Sequence, residues 1–233
     1  MANPTAAAAG RARRVRVRMT RGERREQLID VARSLFAERG PDGTSVEEIA
    51  AHAGVSKPVV YEHFGGKEGL YAVVVDREVR RLHDAIRAAL TTPRAGARRL
   101  IVLGTLALLD YIDANSDGFA IISRGSSATS AEGSFATILS DVANRTEDLL
   151  AAEFTKSQFD PALAPMYAQM LVGLVALTGQ WWLDHRENGL DKDVVAAHVV
   201  NLAWNGMRHL EIDPMLKRPG PVVVVPAASS SAD

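Results

Sequence analysis

The chain has 233 residues, 47% of them apolar and 24% charged, which fits a folded protein of one or two domains and excludes a low-complexity or fibrous chain. It contains no cysteine, so disulfides and thiolate-bound metals are excluded, and a reducing, cytoplasmic location is expected. The net charge of −1 hides an asymmetry: residues 1–70 carry 12 Lys+Arg against 9 Asp+Glu, while residues 71–233 carry 15 against 19.

The N-terminal segment, residues 1–19, reads as a basic disordered arm. Five of the eight residues from Arg11 to Arg18 are arginine and none is acidic, a composition that stays solvated yet can bind a polyanion. MANPTAAAAGRARR lacks the apolar core of a secretory signal, and its arginines follow its alanines instead of preceding them.

The first helix is expected over about 21–39. Thr20 and Glu23 form a capping-box pattern, Leu28, Val31, Ala32, Leu35 and Phe36 make one apolar stripe, and Gly40-Pro41 ends it. A second helix follows from the overlapping boxes Thr44-x-x-Glu47 and Ser45-x-x-Glu48, with Val46, Ile49, Ala50 and Ala53 on its apolar face and Gly54 at its close. Ser56 opens a third, its hydroxyl expected to cap the amide of Val59 because Pro58 has no N–H to offer. Two short helices joined by a tight glycine turn are the helix-turn-helix pattern. Lys57, Pro58 and Val59 then project from the start of the third helix, and Val60 and Phe64 point into a small core. After Gly65-Gly66 come open helix-start amides with Lys67 beside them, which suits a phosphate.

The remainder reads as helical throughout, with segments expected over about 67–90, 94–114, 117–124, 132–157, 162–187 and 191–210. Residues 214–233, which include PVVVVP, read as a flexible tail. The longest apolar runs, LIVLGTLALL and MLVGLVALTG, fall short of the roughly 18 residues a membrane span needs, so no membrane role is expected.

The stretch TSVEEIAAHAGVSKPVVYEHFGGKEGLY resembles the DNA-binding domain of the TetR family of bacterial transcriptional regulators. Ser45, Ile49, Ala50, Ala53, Gly54, Val55, Ser56, Tyr61, Phe64, Lys67 and Leu70 carry the match. The motif covers residues 20–71; beyond it only the helical plan is shared. The resemblance implies an all-α fold with a three-helix DNA-binding domain at 20–66 and a helical effector-binding and dimerisation domain at 67–213. It places Thr44, Ser45, Ser56, Tyr61 and Lys67 at DNA phosphates, and Lys57, Pro58 and Val59 at base edges with His63 at the trailing end. The chemistry of these side chains agrees, since hydroxyls and lysine suit phosphates and a Pro-Val edge suits a thymine methyl. Gly65-Gly66 departs from the polar cap of many relatives, which removes a side-chain phosphate contact there. Arg14, Arg16 and Arg18 of the arm are expected to reach along the minor groove or backbone.

The resemblance also implies a homodimer through the last two long helices. The apolar girth of Met166 to Leu183 agrees, because a helix without a polar face must be covered on both sides. Tyr111, Phe119, Ile122, Phe135, Tyr167, Met170, Trp181 and Trp204 are candidates for a ligand cavity. The scarcity of charge in the central helices points to an apolar effector, acyl or lipid-like, with Arg124 available to an acidic end. No cofactor is expected, and no metal: His198 and His209 share a helix face but stand about 16 Å apart along it. The function expected is a ligand-responsive regulator on a near-palindromic operator, with repression the usual family outcome and activation the alternative. A helical-bundle enzyme is the outlying reading, and no nucleophile, base and oxyanion set supports it.

Overall fold

The computed structural model describes residues 19–124 and 135–215; Arg14, Arg16, Arg18 and the PVVVVP segment lie outside them. Among the described residues the chain is all-α, with α1 (Arg21–Arg39), α2 (Val46–Ala53), α3 (Lys57–Phe64), α4 (Lys67–Leu90), α5 (Ala97–Ala114), α6 (Ser116–Arg124), α7 (Phe135–Lys156), α8 (Ala164–Asp184) and α9 (Lys192–Arg208). The chain divides into two compact units, with breaks after Ala88, Leu106 and Ser140.

Where sequence and structure differ, the causes are local. Helix α5 starts at Ala97 rather than 94, because Arg94 takes a left-handed φ of 57° that no first helical turn accepts. The segment expected over 162–187 resolves into a 3-10 turn at Pro161–Leu163, α8 itself, and a second turn at Arg186–Asn188 closed by Gly189 at φ 67°.

In the first unit α1, α2 and α3 share one core with α4. Leu28, Ile49, Val60, Leu70 and Val74 have no exposed surface, and the Phe36 and Tyr71 rings meet edge to face at 5.1 Å. Leu70, Tyr71, Val74 and Val75 thus belong to the same packed cluster as the buried residues of α1–α3, so this unit extends well past residue 66. Helix α6 lies against α1: Ser34 bonds Asp117 at 3.1 Å and Arg124 donates to the Ala37 carbonyl at 2.9 Å. Arg124 is therefore spent on α1.

In the second unit α8 packs on α9, burying its small residues Ala164, Ala168, Ala176 and Gly179 together with Val172 and Trp182. Helix α9 buries Val195, Ala196, Val199, Val200 and Ala203. The Trp182 indole N–H donates to the Leu190 carbonyl at 2.9 Å, fixing the loop between them. Four bulky residues of α8, Met166, Met170, Leu177 and Trp181, are exposed, and Leu202 on α9 is exposed as well. The stretch Pro161–Asp184 is long and apolar enough to cross a membrane by length and composition. The glycines, threonine and glutamines that interrupt its apolar runs leave the average over the helix apolar, a property shared by core helices of soluble proteins.

Candidate nucleic-acid interface

The turn between α2 and α3 is held by backbone bonds. Gly54 sits left-handed at φ 65°, its N–H bonds back to α2, and the Val55 N–H bonds the Ala50 carbonyl at 2.9 Å. A residue with a Cβ would be strained here, so glycine sets the angle at which α3 leaves. Ser45 caps α2 in a full capping box: it accepts from the Glu48 amide at 3.2 Å, and its own N–H donates to the Glu48 carboxylate at 2.9 Å. These bonds from Ser45, the backbone one first, hold the Glu48 carboxyl below its ordinary pKa.

Two capping expectations are corrected. Thr44, expected at a phosphate, is buried, and its hydroxyl donates to the carbonyls of Leu35 and Gly40 at 3.3 and 2.8 Å. It thereby supplies a donor to the Gly40 carbonyl, which the end of α1 leaves open. Ser56 makes no side-chain cap; its backbone carbonyl takes the Val59 amide at 3.0 Å. Its exposed hydroxyl is left facing solvent.

Helix α1 grips α3 from behind. The Arg25 guanidinium donates to the His63 carbonyl at 3.2 Å and lies 4.5 Å over the Phe64 ring. Gln27 donates to the Ala53 carbonyl at 3.2 Å, at the end of α2. Sequence reasoning passed over both residues; the only signal was that each is polar and flanks the buried stripe of α1. With its rear fixed, α3 turns Lys57, Pro58 and Tyr61 outward, while Val59 and His63 are half-buried. Buried Gly66 packs beside Tyr61, where a Cβ would stand 3.4 Å from the ring. Lys67 donates to the Pro41 carbonyl at 2.9 Å, tying the start of α4 to the α1–α2 loop.

The outward cation at the start of α3 is not idle. Lys57 pairs with Glu47 in the first turn of α2, and its hydrogen bond holds the Glu47 carboxyl below its ordinary pKa.

The ligand candidates do not gather at one place. In the first unit Tyr111, Phe119 and Ile122 are buried core, and half-buried Phe135 meets Phe119 edge to face at 5.4 Å. In the second, Tyr167 packs on Phe154 at 5.5 Å, and Met170 and Trp181 stand on the exposed face of α8. Trp204 lines an open cleft of about 430 Å³ with Gly96, Ala97, Arg98, Arg99 and Val102. No group of three metal-ligating side chains occurs among the described residues.

Comparison with known proteins decides the family. The profile for bacterial regulatory proteins of the tetR family matches residues 28–74, and that for the tetracyclin repressor-like C-terminal domain matches 104–206. The HTH-type transcriptional activator FasR of Mycolicibacterium smegmatis is 35% identical over 199 residues, covering 84% of this chain and 88% of FasR. The chain belongs to the TetR family. A TetR-family regulator from Streptomyces coelicolor superimposes with a TM-score of 0.61 at 28% identity, over 82% of each chain. The fatty acid degradation regulator FadR of Bacillus halodurans shares the fold at 21% identity, with a TM-score of 0.65 over 82% of this chain and all of FadR. This TetR-family chain is thus a DNA-binding transcriptional regulator and not an enzyme, and the three-helix unit around α3 is its operator-binding element.

Glu47 sets a carboxylate beside the expected DNA-facing Lys57 and pairs with it in the structure. Glu47→Gln should therefore raise operator affinity, by up to about fivefold given what exposed pairs contribute. Fluorescence anisotropy of a labelled operator checks this, and unchanged affinity would show that Lys57 is not restrained by its pair.

Proposed function

We propose that this TetR-family regulator binds a near-palindromic operator as a homodimer and answers to an apolar small molecule. The observation that carries the DNA reading is the mounting of α3: Arg25 holds it from behind while Lys57, Pro58 and Tyr61 face outward. Lys57 donates to guanine, Pro58 and the exposed edge of Val59 meet a thymine methyl, and Tyr61, Ser45, Ser56 and Lys67 hold phosphates. His63 borders the trailing base pairs. The arm with Arg14, Arg16 and Arg18 adds phosphate or minor-groove contacts. Such work places the protein in the cytoplasm with the DNA.

The dimer is supported by the outward stripe of Met166, Met170, Leu177 and Trp181 on α8 beside Leu202 on α9, an apolar face that a second copy would cover. The effector is supported by the cleft in the second unit, whose Val102 and Trp204 offer an apolar wall with Arg98 and Arg99 for an acidic end. An acyl or lipid-like molecule has that chemistry. For the sign of regulation, activation is the reading favoured by the likeness to FasR, an activator by name. Repression is the second reading, in keeping with the usual family outcome.

A gel shift with the DNA upstream of the protein's own coding region tests the proposal. A retarded band that medium-chain and long-chain acyl compounds shift in intensity is expected. Absence of any retarded band across genomic fragments would overturn the DNA reading, and indifference to every acyl compound would overturn the effector reading.

A further inference from the structure

One ionisable group in the first unit is used by nothing described so far. Glu78, in the middle of α4, is 1% exposed. Its carboxylate accepts from the Tyr111 hydroxyl of α5 at 2.8 Å and from Arg81 of its own helix at 2.8 Å. Arg33 of α1 lies 3.8 Å away, an ion pair beyond hydrogen-bond reach, and its buried Nε has no hydrogen-bond partner among the described residues. Helix α6 arrives at the same point through Gly118, where a Cβ would stand 2.3 Å from the Glu78 carboxylate oxygen. Four helices therefore meet on one carboxylate, and a side chain at residue 118 would push the Glu78 and Tyr111 side chains aside.

A buried ion pair of this kind contributes little net stability over an apolar residue of the same size, while loss of one partner is costly. What it does confer is a defined position. Burial, and then the Glu78 charge, raises the pKa of the Tyr111 phenol, so the hydroxyl stays a donor at any physiological pH. The Arg33 contact is the loose member of the set. It lies on α1, the helix that holds α2 through Gln27 and α3 through Arg25.

We infer that Glu78 is a positioning residue for the reading head: it sets α1, and through α1 the recognition helix α3, according to where Tyr111 and Gly118 hold its carboxylate. This rests on the DNA reading proposed above. A shift of α5 or α6 re-aims the carboxylate, and the incomplete pair with Arg33 closes or opens with it. Two arrangements of one charged cluster thereby become two orientations of α1.

Full-length Tyr111→Phe and Glu78→Gln, with Arg33→Met and the Glu78→Gln/Arg33→Met double variant, test this by amide hydrogen exchange and operator titration. Tyr111→Phe leaves both arginine pairs in place and so keeps the test open if Glu78→Gln does not fold. The expected result is faster exchange confined to α1–α3 and operator affinity lowered by about tenfold, within the usual range of coupling between sites. Affinity for random duplex DNA should stay the same, because phosphate contacts are untouched. The Glu78 and Arg33 effects should fail to add, since one acts through the other. A fall in melting temperature with exchange raised evenly over all helices, or additive effects on the operator, would reduce Glu78 to a structural pair and overturn the inference. Exchange needs no DNA, so it decides the matter even if the wild type binds no fragment, an outcome that would count against the DNA reading alone.

Discussion

Leu177→Arg should leave the protein unable to pair and unable to hold its operator. Leu177 is 70% exposed in the middle of the outward face of α8, so nothing within its own subunit needs it. In a two-fold interface the same face meets itself, and each copy brings the substitution. The exchange removes an apolar contact worth about 1.5–3 kcal/mol when buried and leaves two guanidinium groups without partners. Together these should weaken association by at least about 100-fold, and operator binding should fall with it because one reading head holds only half a site. Leu202→Arg on α9, 63% exposed, should act alike. Ala152→Arg, at an exposed position on α7, should change nothing and serves as the control. Sedimentation at micromolar concentration reads the outcome. A wild type that sediments as a monomer, or a Leu177→Arg protein that stays paired, would sink the proposed interface.

The second large effect is expected at Lys57. Lys57→Ala removes the one cation at the leading end of α3, and the loss of a side chain that reads a base typically costs about 1–3 kcal/mol in each half-site. Specific affinity of the dimer should drop between about 30-fold and about 10⁴-fold, and preference should relax at one symmetric pair of positions in the operator. Folding should be unaffected, because the pair that Lys57 makes with Glu47 is exposed on both sides. Tyr61→Phe is the contrasting case. A lost phosphate contact weakens binding to every sequence alike and lowers the salt dependence. Measuring both variants on the operator and on random duplex DNA separates reading from holding. Equal losses on both DNAs for Lys57→Ala would mean that it too is a phosphate contact.

The helical plan could be read closely from the chain because its signals are local. Thr20 with Glu23, Ser45 with Glu48, and Gly54 at the turn each act within four residues, and each stands where the pattern put it. Choices between near-equivalent neighbours were less legible. Thr44 and Ser45 both begin a capping box in sequence, and only the packing of α1 against α2 turns the threonine inward to the carbonyls of Leu35 and Gly40. Ser56 has the residue type of a cap, but its own carbonyl takes the amide first. The cluster at Glu78 left a trace that was passed over: a carboxylate within the buried stripe of Tyr71, Val74, Val75, Leu82 and Ile86. Its partner Tyr111 lies 33 residues on, and no short-range pattern joins the two. The ligand candidates suffered most, because aromatic and methionine side chains at helical spacing look the same whether they fill a core, stand on an outer face or line a cleft.

Apart from Trp182, the inner side of α8 is built from alanine, glycine and valine. Met166, Met170, Leu177 and Trp181 stand on the exposed face, the one a second copy would cover in the proposed dimer. In such a dimer a newly made copy would carry a sticky flank until it met its twin, and the meeting rate would grow with the square of the number of copies. Below a certain abundance single chains would fall to proteases or clump before they found each other. The regulated promoter would then respond to synthesis of this protein as a threshold rather than in proportion.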